Sequence, residues 1–307
     1  MTLEALNKRI KTTTDLREIV STMKILSSVS IAPYETALES LTEYSQTIRD
    51  AFWGFMLSSD FSVPKDKKID SPHCLAVLIG TDNGLVGKFN RDVLMFAQNY
   101  FTEQQIDLNN VTYLCVGKRL GAITQTTVGP KLYGTYAVSN SLKEIGSIAS
   151  TLLFKIHEVI SKTQTTKVLV FHNQKTTAQP QMPKVSQLMP LPYDELIQLK
   201  KDKWTGKSLP MVPDDTQSML SGLMHEYLTV ILTGGITASL AAEHYTRMIN
   251  MQQAEKNIDK SLEEMNLAYQ QARQTQITDE LIDIVSGAEA IKSKKKQDIF
   301  MTNEVLT

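Results

Sequence analysis

The residues best suited to phosphate chemistry lie in a glycine-rich turn between Gly80 and Asn90, with the sequence GTDNGLVGKFN, directly after an apolar run. Backbone N–H groups of such a turn could cradle a phosphate beside its lysine. The Walker spacing fails, however, because Asp82 stands where the first glycine belongs and Phe89 replaces the Ser or Thr that reaches magnesium. The turn does not read G-x-G-x-x-G either. We therefore interpret Asp82, Gly84 and Gly87 as structural residues of a tight turn that closes a strand.

Histidine and serine chemistry is equally poorly supported by the spacing of these residues. The five histidines show no metal-ligand spacing, and His225-Glu226 lacks the second histidine of a zincin site. No serine is framed as G-x-S-x-G. We therefore predict no catalytic residue, no cofactor site and no metal site. A small α/β enzyme with a helical clamp remains an alternative, which ATP binding by the isolated chain would support.

Composition excludes two classes of partner. The chain has 307 residues and a net charge of -1, with 32 basic and 33 acidic residues, so bulk electrostatics do not favour nucleic acid. No window reaches the roughly 18–20 consecutive apolar residues that cross a bilayer, so we expect membrane association only through partners. Cys74 and Cys115 each lie in an apolar run, which is typical of buried, reduced thiols.

Short apolar runs alternate with helix-like stretches between residues 73 and 195. The runs CLAVLIG, VTYLCVG and KVLVFHN are rich in Val, Leu and Ile, and such runs are typical of strands buried on both faces of a parallel sheet. Helix-like stretches at 91–101 and 141–162 lie between them. The alternation predicts a Rossmann-like α/β domain over residues 73–195, with crossover connections.

Residues 1–57 are predicted to form a long helix that a proline interrupts. Its apolar residues recur at steps of three and four, with a few gaps, and so form one stripe; they are Leu3, Leu6, Ile10, Leu16, Ile19, Met23 and Leu26. Because proline costs a helix interior about 3 kcal/mol, we expect a kink or a short break near Pro33. A polar linker at residues 58–72 then ends this segment.

Residues 214–300 are predicted to form a second long helix with heptad spacing. A five-residue step separates two runs of the seam: Ile258, Leu262, Met265, Tyr269 and Ala272, then Ile277, Leu281, Ile284, Ala288 and Ile291. About 80 helical residues span roughly 120 Å, which a compact core cannot cover. The N-terminal helix is the available partner. We therefore predict a long antiparallel coiled coil of the terminal helices, with the α/β domain inserted between them and a tail at 301–307.

Four stretches, which contain LAAEHYTRM with NLAYQQARQTQITDELIDIVSGA, RIK with IVSTMK, TDNGLVGKFN, and VSQLMPLP, resemble in the right order motifs of F-type ATP synthase gamma subunits. The longest spans residues 240–288 and contains LAAEHYTRM and NLAYQQARQTQITDELIDIVSGA, similar to that family's SLASE-AARM and LxYNxARQAxITxELxEIVSGA. RIK at 9–11 with IVSTMK at 19–24 resembles RIxS and KITKAM. TDNGLVGKFN at 81–90 resembles SSDRGLCGGFN, and VSQLMPLP at 185–192 resembles ISQLLPLP. The resemblance covers nearly the whole chain.

The resemblance implies the central-stalk rotor of a rotary ATP synthase. The coiled coil would stand in the cavity of a hexamer of alternating alpha and beta subunits, and the α/β domain would form a foot that binds the epsilon subunit and the ring of c subunits. Ion flow would turn the ring and shaft, while catalysis would reside in beta. The subunit would be a peripheral membrane protein on the cytoplasmic or matrix-equivalent face, attached only through the c ring.

Residue by residue, the resemblance suggests four contacts between the rotor and the hexamer. Met23 and Lys24 match the family's neck, and Arg273 and Gln274 match the polar ARQ patch that engages beta. Each pair has a structural alternative: Met23 also fits packing in the helix seam, and Arg273 follows Ala272, so that it also fits a charge flanking the coil.

Two departures from the family predict a divergent member, of the kind an alternative rotary ATPase would carry. The family usually continues after Met23 as VAASKLRRAQ, whereas residues 25–34 read ILSSVSIAPY and contain no cation. The family usually ends soon after SGA, whereas this chain continues to Thr307. A gamma-derived coiled-coil scaffold outside the synthase is the alternative function, which failure to co-purify with alpha and beta would support.

Overall fold

The computed structural model describes residues 2–58, 73–139, 141–190 and 215–304, with Ser208 and Met211, and only the backbone of residues 290–304. Of the predicted linker at 58–72 it describes Ser58 alone; the predicted domain end at 191–195, Asp214 and the tail residues 305–307 also lie outside the described residues. Contacts divide the chain into two units. The first, called the tip unit here, comprises Met1–Met23 and Met251–Thr307; the second, called the base unit, comprises Lys24–Asn250.

Five α-helices and five strands make up the described part of the chain. In chain order they are α1 (Leu3–Ser58), β1 (Cys74–Ile79), α2 (Phe89–Glu103), β2 (Val111–Val116), α3 (Lys118–Val128), β3 (Leu132–Tyr136), α4 (Leu142–Thr163), β4 (Lys167–Gln174), β5 (Met182–Met189) and α5 (Thr216–Glu304). The three predicted strands and both predicted helices of the α/β domain are present. The apolar pattern of the sequence did not identify α3 and β3.

The five strands form one sheet in the order β3-β2-β1-β4-β5. The pairs β1–β2, β1–β4 and β2–β3 are parallel, whereas β5 adds to β4 in the antiparallel direction. The strand order reverses direction beside β1, which is the position where open α/β sheets usually bind ligands. The turn from Gly80 to Lys88 leaves the sheet at this position.

Both faces of the sheet are covered, which explains the continuous apolar runs. Leu75, Val77 and Ile79 of β1 face a core that includes α4 and α5, with members such as Leu152 and Ile236. The alternate β1 residues Cys74, Ala76 and Leu78 face a second core that includes α2. Because successive side chains of a strand point to opposite faces, a strand covered on both faces needs apolar residues at every position, and β1 is buried throughout.

Within the base unit, α1 and α5 run antiparallel. Tyr34 stacks on His244 with ring centroids 5.4 Å apart. Further along α1, the Tyr44 hydroxyl donates to Glu226 at 3.0 Å. As α1 advances from Tyr34 to Tyr44, its partner residue on α5 moves back along the chain, which requires opposite helix directions.

Pro33 lies inside a helix that the structure assigns without interruption from Leu3 to Ser58. The expectation of a short break near Pro33 is therefore wrong, while the kink stays a prediction. Pro33 is exposed and its neighbour Tyr34 is 3 % exposed. Since tertiary packing routinely overrides helix propensity, the contact of Tyr34 with His244 gives a physical reason for the helix to continue.

The predicted stripe on α1 is partly wrong. Leu16 and Ile19 in the tip unit, and Leu26 in the base unit, are exposed. The inward residues of the tip unit instead follow their own heptad spacing, buried or half-buried: Leu3, Leu6, Ile10, Thr13, Arg17 and Val20. Polar Thr13 and Arg17 occupy two positions of this seam. The prediction counted only apolar residues, and it therefore assigned Leu16, Ile19 and Leu26 to the inward face in place of polar Thr13 and Arg17.

The predicted seam on α5 is inward only in its first run. Ile258, Leu262, Met265, Tyr269 and Ala272 are buried or half-buried. In the second run, Ile277, Leu281, Ile284 and Ala288 are exposed, and the side chain of Ile291 lies outside the described residues.

Helix length explains the change in the tip unit. Leu3 lies as many residues before Arg17 as Arg273 lies after Asp259, and Arg17 pairs with Asp259. In an antiparallel pair, α1 therefore stops covering α5 near Arg273. The expectation that the second run packs on α1 is wrong.

Candidate functional site

The turn after β1 is held by its own buried polar groups. The side-chain carbonyl of Asn90 accepts from the Thr81 backbone N–H at 3.0 Å, and the Asn90 amide donates to the Thr81 hydroxyl at 2.9 Å. That hydroxyl donates in turn to the Asn83 carbonyl at 2.7 Å. Thr81 is fully buried and Asn90 is 4 % exposed. Because buried polar groups require hydrogen-bond partners, these contacts fix the path of the chain out of β1.

Asp82 places a carboxylate at the N-terminus of α3. Its side chain accepts from the Lys118 backbone N–H at 2.7 Å and from the Val138 backbone N–H at 3.2 Å. The N-cap residue of α3, Gly117, has no side chain with which to cap the helix. A helix N-terminus attracts anions through its unpaired N–H groups and its dipole. In this fold the chain's own aspartate supplies that anion.

The two glycines singled out in the turn differ in their steric requirements. Gly87 has a φ of +60°, a conformation that favours glycine, and a Cβ there would meet the Asn250 side chain at 3.4 Å. A Cβ on Gly84 would meet no heavy atom within 4 Å, and Gly84 has no positive φ. The geometry therefore supports a conformational role for Gly87, and it gives no steric reason for Gly84.

Helix α5 crosses the carboxyl end of β1 and covers it. The Ser239 hydroxyl lies 3.5 Å from the Ile79 carbonyl, within hydrogen-bond reach. Ala242 forms a buried cluster with Val86 and Phe89 of the turn region. Helix α5 thus covers the end of β1, beside which related sheets bind ligands.

Next to this position, α5 buries an ion pair. Glu243 and Arg247 bond to each other one turn apart, and they are 3 % and 9 % exposed. Burial raises the pKa of Glu243, and the Asp82 charge adds to this, while Arg247 opposes it. Neither residue of the pair stood out from the sequence pattern alone. Its signal was a Glu and an Arg four residues apart, the spacing at which helix side chains meet.

Two histidines of the base unit, buried His172 and half-buried His244, are neutral at physiological pH. Burial lowers the pKa of His172 to about 4, and it does the same for His244, with a contribution from the Arg247 charge. Among the described residues, no group of three or more His, Cys, Asp or Glu side chains could hold a metal ion. Burial also raises the pKa of the Cys115 thiol to about 11, so that the thiol is protonated and unreactive.

The four predicted contact residues do not form one site. Arg273 and Gln274 are exposed and lie together in the tip unit, about 20 Å along α5 from Asp259 at 1.5 Å per residue. Met23, also in the tip unit, and Lys24, in the base unit, are half-buried. Both Met23 and Lys24 have contacts within the chain. The expected seam packing of Met23 therefore remains compatible with its position.

Large apolar side chains are exposed along the tip unit. On α1 they are Leu16 and Ile19, and on α5 they are Leu267, Ile277, Leu281, Ile282, Ile284 and Val285. Leu281, Ile284 and Val285 share one helix face by their spacing. Exposed apolar surface of this extent is typical of a protein–protein contact. No helix in the described part of the chain is both long enough and apolar enough to cross a membrane.

Comparison with known proteins gives matches over nearly the whole chain. A family model described as ATP synthase matches residues 2–291. A protein named ATP synthase gamma chain from Bdellovibrio bacteriovorus is 25% identical over 295 residues, covering 94% of this chain and 99% of the relative. The protein of the same name from Ehrlichia canis is 27% identical over 296 residues, with the same coverage.

Two solved structures share the fold. A chain of the Euglena gracilis mitochondrial ATP synthase, from a cryo-EM structure of rotational state 3, superposes with a TM-score of 0.66 at 18% identity and 96% coverage of both chains. A chain of the central stalk and c ring of the Tetrahymena thermophila mitochondrial ATP synthase gives a TM-score of 0.53 at 17% identity, covering 77% of this chain and 99% of that one.

Proposed function

The chain belongs to the ATP synthase gamma family, and from this premise we propose that it is the central-stalk rotor that couples ion translocation to ATP synthesis or hydrolysis. The match of residues 2–291 to the family is the observation that carries this function. We assign the parts of the rotor accordingly. The predicted α/β domain at 73–195 is the foot, and the predicted helices at 1–57 and 214–300 form the shaft. The partners are the alpha and beta subunits, the epsilon subunit and the c ring.

The chain's role is mechanical, and the catalytic sites lie on beta. Helix α5 covers the end of β1, beside which such sheets bind ligands, and this supports the assignment. A rotor can transmit only a difference in free energy, namely the difference between its interactions with open and with closed catalytic subunits. The subunit is peripheral to the membrane, on the cytoplasmic or matrix-equivalent face, and it is attached through the c ring.

The exposed apolar residues of the tip unit support its insertion into a surrounding hexamer. Ile277, Leu281 and Ile284 continue the heptad seam where α1 no longer covers them. Burial of apolar surface contributes about 25 cal/mol of favourable free energy per Å² removed from water. A surrounding sleeve of alpha and beta subunits would supply that burial without a second helix of this chain.

We propose that Arg273 and Gln274 contact beta, at the level of α5 where α1 no longer covers it. Both side chains are exposed. The planar guanidinium offers five donors for carboxylates or carbonyls of a surrounding subunit. A residue that merely solvates the coil would contribute only about 0–1 kcal/mol. The two interpretations therefore predict different consequences of removing the side chains.

Reconstitution with alpha and beta alone tests this proposal. The double change Arg273→Ala and Gln274→Ala should leave assembly intact and lower the rate of ATP-driven rotation about tenfold. This factor corresponds to the loss of one charge-assisted hydrogen bond. The matched control is Arg119→Ala with Gln125→Ala, an exposed pair on α3, which should rotate normally. Normal rotation of the first variant would refute the contact with beta, and failure to assemble would show that the pair is structural.

A further inference from the structure

A cavity of about 570 Å³ lies inside the base unit, between α1, α5 and the end of β4. This volume falls in the range of small-molecule sites. Gly234 and Gly235 of α5 form part of its wall. A Cβ on Gly235 would meet Ile79 at 3.3 Å and His172 at 3.4 Å, so the helix packs closely on the sheet there, whereas a Cβ on Gly234 would meet no heavy atom within 4 Å. The missing side chain at Gly234 keeps the cavity open.

The lining of the cavity is apolar along the helices and polar at the sheet. Leu38 and Leu41 of α1 and Ile231 of α5 line one part. His172, Gln174 and Lys184 line the part formed by the strands. Such a division matches a ligand with an apolar tail and one polar head, because small-molecule sites combine apolar walls with a few placed polar groups.

The charges around the cavity leave one cation in excess. Lys175 is paired with Glu35 and lies over the Tyr245 ring at 4.5 Å from its centroid. Lys184 forms no ion pair with any residue that the structure describes. His172 stands opposite Lys184 in the β4–β5 register. Burial and the Lys184 charge together keep the pKa of His172 low, at about 4, so the imidazole is neutral at pH 7.

We propose that this cavity binds a small amphipathic monoanion, an aliphatic carboxylate, with its tail between α1 and α5 and its head at Lys184 and Gln174. A carboxylate accepts a charge-assisted hydrogen bond from the ammonium and a neutral one from the amide. The aliphatic tail removes the apolar walls from water. The site is independent of the rotor function, and the failure of either leaves the other unaffected.

Equilibrium dialysis of radiolabelled decanoate against the chain in its complex with alpha and beta tests the proposal. We expect saturable binding to the wild-type complex. Lys184→Gln should weaken it by up to about fivefold, since a pair made by an exposed ammonium contributes up to about 1 kcal/mol. Decanol, which has the same tail and no charge, should bind at least tenfold more weakly than decanoate.

A pair of glycine variants assigns the binding to this cavity. Gly234→Leu places a side chain in the open space and should abolish the Lys184-dependent binding. The matched control is Gly222→Leu, on the same helix, where a Cβ also meets nothing within 4 Å and which does not line the cavity. Both changes raise helix propensity equally, and Gly222 is exposed whereas Gly234 is half-buried at the cavity wall, so a difference in binding reflects the side chain placed at that wall.

Three results would overturn the inference. The wild-type complex could bind no decanoate saturably, or Gly234→Leu could bind it as well as Gly222→Leu does. Equal affinities for decanol and decanoate would remove the role of Lys184 and reduce the site to a general apolar cavity. Lys184 is exposed, so its replacement leaves the fold intact and keeps the charge test valid even if Gly234→Leu fails to assemble.

Discussion

Replacement of Arg247 by Met should destabilise the chain in a pH-dependent way. Arg247 is the buried partner of Glu243, and the two residues are 9 % and 3 % exposed. Removing one member of a buried ion pair leaves an uncompensated charge and typically costs about 3–5 kcal/mol. Arg247→Met should therefore lose about that much unfolding free energy at pH 8. Methionine keeps most of the arginine stem volume, so the loss reflects charge more than packing.

The pH dependence follows from the direction of the pKa shift. The pKa of Glu243 is already raised by burial, with Asp82 adding to the effect and Arg247 opposing it. Without Arg247, the opposing charge is lost and burial raises the folded pKa of Glu243 further. When the pKa of a carboxyl group is higher in the folded than in the unfolded state, its ionisation lowers the free energy of unfolding. This loss is absent below the unfolded pKa and largest above the folded pKa. The loss should therefore shrink between pH 8 and pH 5.

Urea unfolding followed by circular dichroism measures this loss. The double variant Glu243→Gln with Arg247→Met should be more stable at pH 8 than the single variant, since it removes the buried charge. It should also lack the recovery at pH 5. His244, whose pKa is lowered partly by Arg247, is present in both variants, so the comparison controls for its titration. Equal losses at pH 5 and pH 8 in Arg247→Met would refute the buried-charge explanation.

Three further predictions concern the neck, the turn and catalysis. Pro33→Ala should raise the unfolding free energy by up to about 3 kcal/mol, because Pro33 is exposed inside α1; unchanged thermal melting would contradict a helical cost at this site. Asp82→Ala should cost about 1–2 kcal/mol by urea unfolding, because the backbone N–H groups of Lys118 and Val138 lose their acceptor, whereas exposed Asp279→Ala should stay within about 0.5 kcal/mol. The isolated chain should hydrolyse no ATP while raising the rate of alpha and beta; turnover by the chain alone would contradict the failed Walker spacing.

The apolar runs and the family motifs determined most of the fold from the sequence. CLAVLIG, VTYLCVG and KVLVFHN became β1, β2 and β4, because continuous apolar residues are tolerated only where both faces of a sheet are covered. The strand β3, with only half-buried or exposed residues, gave no such signal. It lies at the edge of the sheet, where burial is incomplete and composition is less constrained.

The turn after β1 was also predictable in part. The spacing of its residues was enough to exclude a Walker loop, but it left Asp82 without an assigned partner. The contacts of Asp82 with Lys118 and Val138 join three separate segments of the chain. No local pattern encodes such a contact, because the residues meet only after the sheet has formed.

Only the tertiary structure decided which face of each terminal helix turns inward. The sequence determined that α1 and α5 are long helices with heptad spacing, since periodicity is a local property. The choice of face depended on a partner: Arg17, whose side chain is 44% exposed, turns towards the partner helix and pairs with Asp259, while Leu16 and Ile19 face away from it. The extent of the seam depended on the length of α1, which begins at Leu3. Ile277, Leu281 and Ile284 carry a heptad pattern that the chain itself does not cover, because burial requires a second surface at the same level.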